Sequence, residues 1–200
     1  HFIRPFFAKH NALRLEIDVN NRKNVIQELI NNNIDFALVS VIPENVDVES
    51  IQLLKNQLCL IGSADAQYSL QHKTENITEH FPIIYREEGS ATRLAMEAYF
   101  KQFGEIKTKK MELTSNEAVK QAVIAGIGCS VMPIIGLKHE LQAEELRIIP
   151  RENLPVFTHW NLIWLKKKQL SYAGKEFIKF LKASKSEIAD THFSWTKKYE

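Results

Sequence analysis

An α/β fold follows from three features of this 200-residue sequence. Leu13 to Val39 and Leu113 to Pro133 each read as strand, helix, strand, and the first has the roughly 30-residue size usual for a βαβ unit. The runs that end them, Phe36 to Val39 and Cys129 to Met132, are short and apolar, as buried strands of a sheet covered on both faces are. A content of 44% hydrophobic and 25% charged residues suffices for one large domain or two small lobes, each with its own core.

Taken in order, Ile3 to Lys9 reads as the end of a helix already under way, with Phe2, Phe6 and Phe7 on one side. Leu13, Leu15, Ile17 and Val19 alternate with polar residues at strand period. Val25, Ile26, Leu29 and Ile30 recur at helical spacing until Asn31 to Asn33 end the helix. Ser40 comes directly after the Phe36 to Val39 strand. Ile42 to Ser50 reads as a loop, followed by apolar stretches at Ile51 to Leu54 and Leu58 to Gly62. The polar run Ser63 to Thr78 reads as a crossing into a second lobe.

Ile83 to Tyr85 opens that lobe as a strand, and the loop Arg86 to Arg93 leads into a helix capped by Ser90. Its inner side is expected to carry Leu94, Ala95, Ala98, Tyr99 and Phe103, with Gly104 closing it before a strand over Lys107 to Leu113. Ser115 or Asn116 caps the next helix, whose apolar face is Ala118, Val119, Ala122, Val123 and Ala125. Gly126 and Gly128 permit a tight turn with Ile127 directed into a core, and Pro133 stops the following strand. Ile134 to Leu141 suits a short helix, and Leu146 to Ile149 and Asn161 to Leu165 suit strands. Ser171 caps a helix carrying Tyr172, Phe177, Ile178 and Leu181, and Ser184 to Glu200 reads as a weakly ordered tail whose isolated aromatics Phe193 and Trp195 are the residues suited to dock it.

Several function classes are disfavoured. Twenty-six basic against twenty-four acidic residues give a net charge of +2, without the dense positive field of a DNA reader. Cys59 and Cys129 lie far apart in apolar runs, which suits buried reduced thiols of a cytoplasmic protein. No run is long and apolar enough for a bilayer, HFIRPFF lacks a signal-peptide shape, and the absent initiator Met hints at a piece of a longer chain. His10, His72, His80, His139, His159 and His192 are scattered, so no metal is expected. With no GxSxG, no P-loop and a glycine turn too short for GxGxxG, neither enzymatic activity nor a cofactor is expected.

The candidate ligand residues sit at helix starts. Ligands in open α/β sheets bind beyond the carboxyl ends of strands, where Ser115 falls. Ser90 and Thr92 occupy a second such start, where unpaired N–H groups and the positive dipole end favour a carboxylate or phosphate; plain capping is the competing role for all three. Arg86 and Arg93 flank the glycine loop and form either a fork for an anion or, for at least one of them, a surface ion pair with Glu87 or Glu88. Ser40 is a ligand candidate or a solvated hydroxyl, and Cys129 reads as an inert core thiol.

IDFALVS (Ile34 to Ser40), REEGSATR (Arg86 to Arg93), SNEAVKQAVIAGIGCSVMP (Ser115 to Pro133) and LSYAGKEFIKFL (Leu170 to Leu181), in that order, resemble the effector-binding domain of LysR-type transcriptional regulators. The resemblance covers nearly the whole chain. It implies two Rossmann-like lobes with a central cleft, like type-2 periplasmic binding proteins. Lobe I would be 1–62 plus 151–183, lobe II 63–150, and 184–200 a C-terminal tail.

It also implies a small polar, anionic effector in the cleft, with Ser40 facing Ser90 and Ser115, a homodimer or tetramer, and promoter DNA bound through an N-terminal winged helix-turn-helix. That motif has no counterpart here. The family's opening strand and loop, on the order of a dozen residues, also have none. The first helix and the Arg22 to Asn32 helix are the expected dimer surfaces. Rival readings are an extracytoplasmic solute-binding protein of a transporter and a prephenate dehydratase-like enzyme on the same fold.

Overall fold

A computed structural model describes residues 1–65, 81–102 and 110–199. The expected roles of Phe103 and Gly104, the crossing over 66–78, and His72 and His80 lie outside the described residues. The elements are α1 (Arg4–Phe7), α2 (Arg22–Ile30), β1 (Ala37–Val39), β2 (Val48–Ser63), β3 (Ile83–Arg86), α3 (Ala91–Lys101) and β4 (Lys110–Leu113). They continue with α4 (Asn116–Ile124), β5 (Ser130–Pro133), a 3-10 turn (Ile134–Gly136), α5 (Lys138–Gln142), β6 (Leu146–Ile148), β7 (Val156–Leu165), α6 (Tyr172–Phe193) and a final 3-10 segment (Ser194–Tyr199).

The chain forms two compact units: residues 1–55 with 159–200, and residues 56–158. Both divisions fall inside the long strands β2 and β7. Of the lobe boundaries read from the sequence, one lies near the end of β2 and the other just before β7.

In the first unit β1 pairs antiparallel with β7, Ala37 opposite Ile163 and Val39 opposite Asn161. Asn21 caps α2, its Oδ1 accepting from the Asn24 amide at 3.0 Å, and Leu29 of α2 packs with Ala37, Val39 and Ile163. A second cluster of Ile51, Leu53, Leu162, Trp164 and Leu181 joins strand residues to α6. Ser171 starts α6 by accepting from Gly174 N at 3.1 Å.

Pro5 sits in the first turn of α1, where its missing N–H costs nothing. Two expectations change in this unit. α6 runs on to Phe193, because Ile188 is buried and Phe193 stacks on Phe2 at 5.8 Å; residues 184–193 are helix, not a loose tail. Leu13 to Val19 forms no strand: among the described residues none pairs with it, and Leu15, Ile17 and Val19 stand 45%, 65% and 88% exposed.

In the second unit β2 lies between β5 and β6, with Cys59 opposite Met132 and Gly62 opposite Arg147. The two apolar stretches expected as separate are therefore one strand, Val48–Ser63, whose second half is buried on both faces. β3 and β4 run parallel, Ile83 opposite Lys110 and Arg86 opposite Leu113. β3 is tied to the start of β5 through Cys129 N to Pro82 O at 3.0 Å and Ile84 N to Cys129 O at 2.9 Å.

The second unit's core joins Leu58, Leu60, Ile83, Tyr85, Met96, Tyr99, Phe100, Cys129 and Val131. Met96, Tyr99 and Phe100 form the inner face of α3, whereas Leu94 points out, 51% exposed. Ile127 is also turned outward, 45% exposed. The reason is a Schellman end to α4: Gly126 N bonds Val123 O and Ile127 N bonds Ala122 O, which fixes the backbone and leaves the side chain at the surface.

Candidate functional site

The parallel pair β3 and β4 delivers two helix starts to one sheet edge. β3 ends at Arg86, and four residues on Ser90 caps α3; β4 ends at Leu113, and Ser115 caps α4. Gly89, at φ 91, takes the left-handed conformation that brings the first loop round to its cap. Ser115, not Asn116, is the cap of α4, its Oγ accepting from Ala118 N at 3.0 Å. Ser90 accepts from Arg93 N at a longer 3.5 Å and is only 3% exposed, whereas Ser115 is open to solvent.

Both helices keep donors in reserve. Among the described residues the amides of Ala91 and Thr92 on α3, and of Asn116 and Glu117 on α4, meet no acceptor. Such first-turn groups, with the positive ends of the helix dipoles, are suited to carboxylate or phosphate oxygens. Thr92 is partly buried in the first turn of α3, beside that open backbone.

Arg86 and Arg93 have partners of their own. Arg86 grips Glu87 through Nε at 2.7 Å and Nη2 at 2.9 Å, and its Nη1 donates to Asn116 Oδ1, tying the β3 loop to the start of α4. Arg93 donates from Nε to Glu97 at 2.8 Å and from Nη1 to Glu112 at 2.6 Å and to the Arg86 carbonyl at 3.2 Å. The Glu97 hydrogen bond, with that of Glu112, holds the Arg93 pKa above its ordinary value.

A shallow cavity of ≈ 240 Å³ lies on this side, lined by Tyr85, Arg93, Glu97, Lys110, Met111 and Glu112. Burial, then the Glu97 charge, pushes the Tyr85 phenol up to about 12, so it stays protonated there. With Arg93 already facing two carboxylates, this cavity is a poorer anion site than the helix starts.

Sequence reasoning missed Glu97, Glu112 and Asn116 as partners. The i, i+4 spacing of Arg93 and Glu97 was a usable signal; the other two pairings exist only through the β3–β4 register. Ser40 follows β1 in the first unit, apart from these residues in the chain's division. The thiols Cys59 and Cys129 are free and buried, each pushed up to about 12 by burial.

The family model for the LysR substrate binding domain matches residues 1–186. The chain belongs to that family. It is 35% identical over 189 residues to the RuBisCO operon transcriptional regulator of Allochromatium vinosum, covering 94% of this chain and 61% of that protein. It is 31% identical over 187 residues to the HTH-type transcriptional activator CmpR of Synechocystis sp., covering 92% of this chain and 61% of that one.

Among solved structures, the Synechocystis CcmR regulatory domain in complex with 2-PG superposes with a TM-score of 0.83 at 29% identity, covering 92% of this chain and 89% of that chain. The effector binding domain of QuiR in complex with shikimate shares the fold, with a TM-score of 0.76 at 19% identity, 93% of this chain and 89% of that one. The LysR domain thus has the periplasmic-binding-protein-like two-lobe fold of its family. It spans 61% of the length of these curated relatives, which are transcriptional regulators. No helix among the described residues is long and apolar enough to cross a membrane.

Proposed function

We propose that this LysR domain senses a small anionic metabolite and that the full-length protein is a cytoplasmic, non-catalytic bacterial transcription regulator, acting as a homodimer or tetramer. The observation that carries the reading is the pair of helix starts at one sheet edge, with the amides of Ala91, Thr92, Asn116 and Glu117 unpaired among the described residues. Ser90, Thr92 and Ser115 supply hydroxyls around those amides. Arg86 and Arg93, each ion-paired, shape the loop and exchange a carboxylate for the ligand only if it displaces one. Ser40, at the carboxyl end of β1, is a further contact to be tested by substitution.

The similar CcmR domain holding 2-PG supports an anion of that size and charge. The curated relatives support regulation of a promoter of the RuBisCO-operon kind, read by a DNA-binding domain elsewhere in the full-length chain. A ligand that favours one arrangement of the domain by about 1–3 kcal/mol is enough to bias that regulator. The experiment is a thermal-shift screen of 2-PG and other small phosphates and carboxylates. A rise in melting temperature that grows with ligand concentration is expected for at least one anion; a flat response to the whole panel refutes the reading.

A further inference from the structure

The cavity of ≈ 240 Å³ that suits an anion poorly carries charges of both signs in a fixed order. Ile83 lies opposite Lys110 and Tyr85 opposite Glu112, so Tyr85, Lys110 and Glu112 share one face of the β3–β4 pair. Arg93 and Glu97, one turn apart on α3, complete the lining from the helix side. Arg93 takes one oxygen of each carboxylate, Glu97 Oε1 at 2.8 Å and Glu112 Oε2 at 2.6 Å. Among the described residues Glu97 Oε2 and Glu112 Oε1 accept no bond, and Lys110 has no ion-pair partner. Tyr85 is 6% exposed and lines the cavity, and its hydroxyl also meets no hydrogen-bond partner among the described residues. A hydroxyl so buried is costly unless a further group satisfies it.

We propose that this cavity binds a small zwitterion, an amino acid, whose ammonium group sits between Glu97 Oε2, Glu112 Oε1 and Tyr85 Oη and whose carboxylate pairs with Lys110. One guanidinium against two carboxylates leaves the inner end one negative charge in excess, which an ammonium cancels. Lys110, two residues or about 6.6 Å along β4 from Glu112, repels a plain cation and attracts a carboxylate carried a few bonds from the ammonium. The two glutamates repel a plain anion, so a ligand bearing both charges is the one that matches both ends. Arg93 already holds both carboxylates in place, so little side-chain freedom is lost on binding. The volume equals that of about eight waters and limits the ligand to a small amino acid. Every residue of this site belongs to the second unit, and none of the four contacts is a helix-start group.

The test is a thermal-shift panel of small L-α-amino acids, at up to about 10 mM, on the 200-residue chain. Each amino acid that responds is repeated as its methyl ester and as its N-acetyl derivative. At least one amino acid is expected to raise the melting temperature with concentration, and both derivatives should lose the shift, because each lacks one of the two charges. Calorimetry should then give an affinity lower by about tenfold or more in Glu97→Gln and in Lys110→Met, and lower by a smaller factor in Tyr85→Phe, which keeps the ring in the core. Glu97 and Lys110 are exposed, and urea midpoints near the parent's will show that the fold is intact. A flat response to the whole panel, a derivative as effective as its parent amino acid, or binding indifferent to Glu97→Gln and Lys110→Met overturns the proposal.

Discussion

Gly128→Ala is the substitution on which the site's scaffold is most exposed to test. A Cβ at this position would lie 2.3 Å from the Pro82 carbonyl oxygen, 3.1 Å from its carbon and 3.2 Å from the Pro82 Cβ. Relief requires the two segments to part by about 1 Å, because the two nearest atoms are backbone and the third belongs to the closed proline ring, none of which can rotate away. The displaced carbonyl is the acceptor of Cys129 N, the first rung of the ladder that continues through Ile84 N to Cys129 O. Ser130 Oγ adds a buried bond to Ile84 O at 2.6 Å.

Overpacking of this kind costs about 1–3 kcal/mol, and a strained or lost rung about 1 kcal/mol more. The stiffer unfolded chain of the alanine variant returns about 0.4–1 kcal/mol. The net expectation is a destabilisation of about 1–3.5 kcal/mol, seen as a lower urea midpoint at unchanged slope. Gly136→Ala is the internal control: a Cβ there meets nothing within 4 Å, and the variant should stay within about 0.5 kcal/mol of the parent. Equal midpoints for Gly128→Ala and Gly136→Ala would refute the close approach and, with it, the strand ties that fix the β3 edge.

The helix caps make a graded pair: Ser115→Ala, losing a 3.0 Å bond, should cost about 1 kcal/mol by urea unfolding, and Ser90→Ala, losing one of 3.5 Å, less. Lys120 bonds Glu140 at 2.6 Å with the two side chains 13% and 15% exposed; burial opposes ionisation of Glu140, but the Lys120 hydrogen bond prevails and its pKa is lowered. A lowered carboxyl stabilises above the ordinary glutamate value and loses that contribution as the pH falls through its folded value, so melting between pH 7 and 3 should fall less steeply in Glu140→Gln. Lys120→Met, which leaves Glu140 without its cation, should cost about 1–3 kcal/mol at pH 7 in a urea titration. Cys59 and Cys129 should both resist a thiol reagent at pH 8 in the folded chain and react fully in denaturant; fast native labelling of either would contradict the burial that pushes both up to about 12.

What the sequence made legible is what local chemistry fixes. Ser90, Ser115 and Ser171 announce helix starts by residue type and position, and all three accept the expected backbone bond. What it concealed depends on partners distant in the chain. The Leu13 to Val19 alternation has a strand's period, yet period gives no neighbour, and the segment stays unpaired among the described residues. Ile127 follows a glycine turn whose backbone bonds, not its apolar character, set its direction. The tail past Ser184 reads as polar with isolated aromatics; Phe193 does dock, on Phe2, and the buried Ile188, whose role the sequence did not single out, carries the helix to it. For the site, the helix starts were readable, whereas the pairing of Arg86 with Asn116 and of Arg93 with Glu112 follows only from the parallel register of β3 and β4.

The most direct test of the central claim is calorimetric titration of the anion that gives the largest thermal shift in the phosphate and carboxylate panel into the wild-type chain and into a Ser90→Ala, Thr92→Ala variant. The account predicts saturable binding to the wild type and an affinity lower by about tenfold or more in the variant, the loss of about 1.4 kcal/mol in hydrogen bonding to a charged ligand, with unfolding midpoints nearly equal. Equal affinity in the two proteins, or no uptake by a folded wild-type chain, would contradict it.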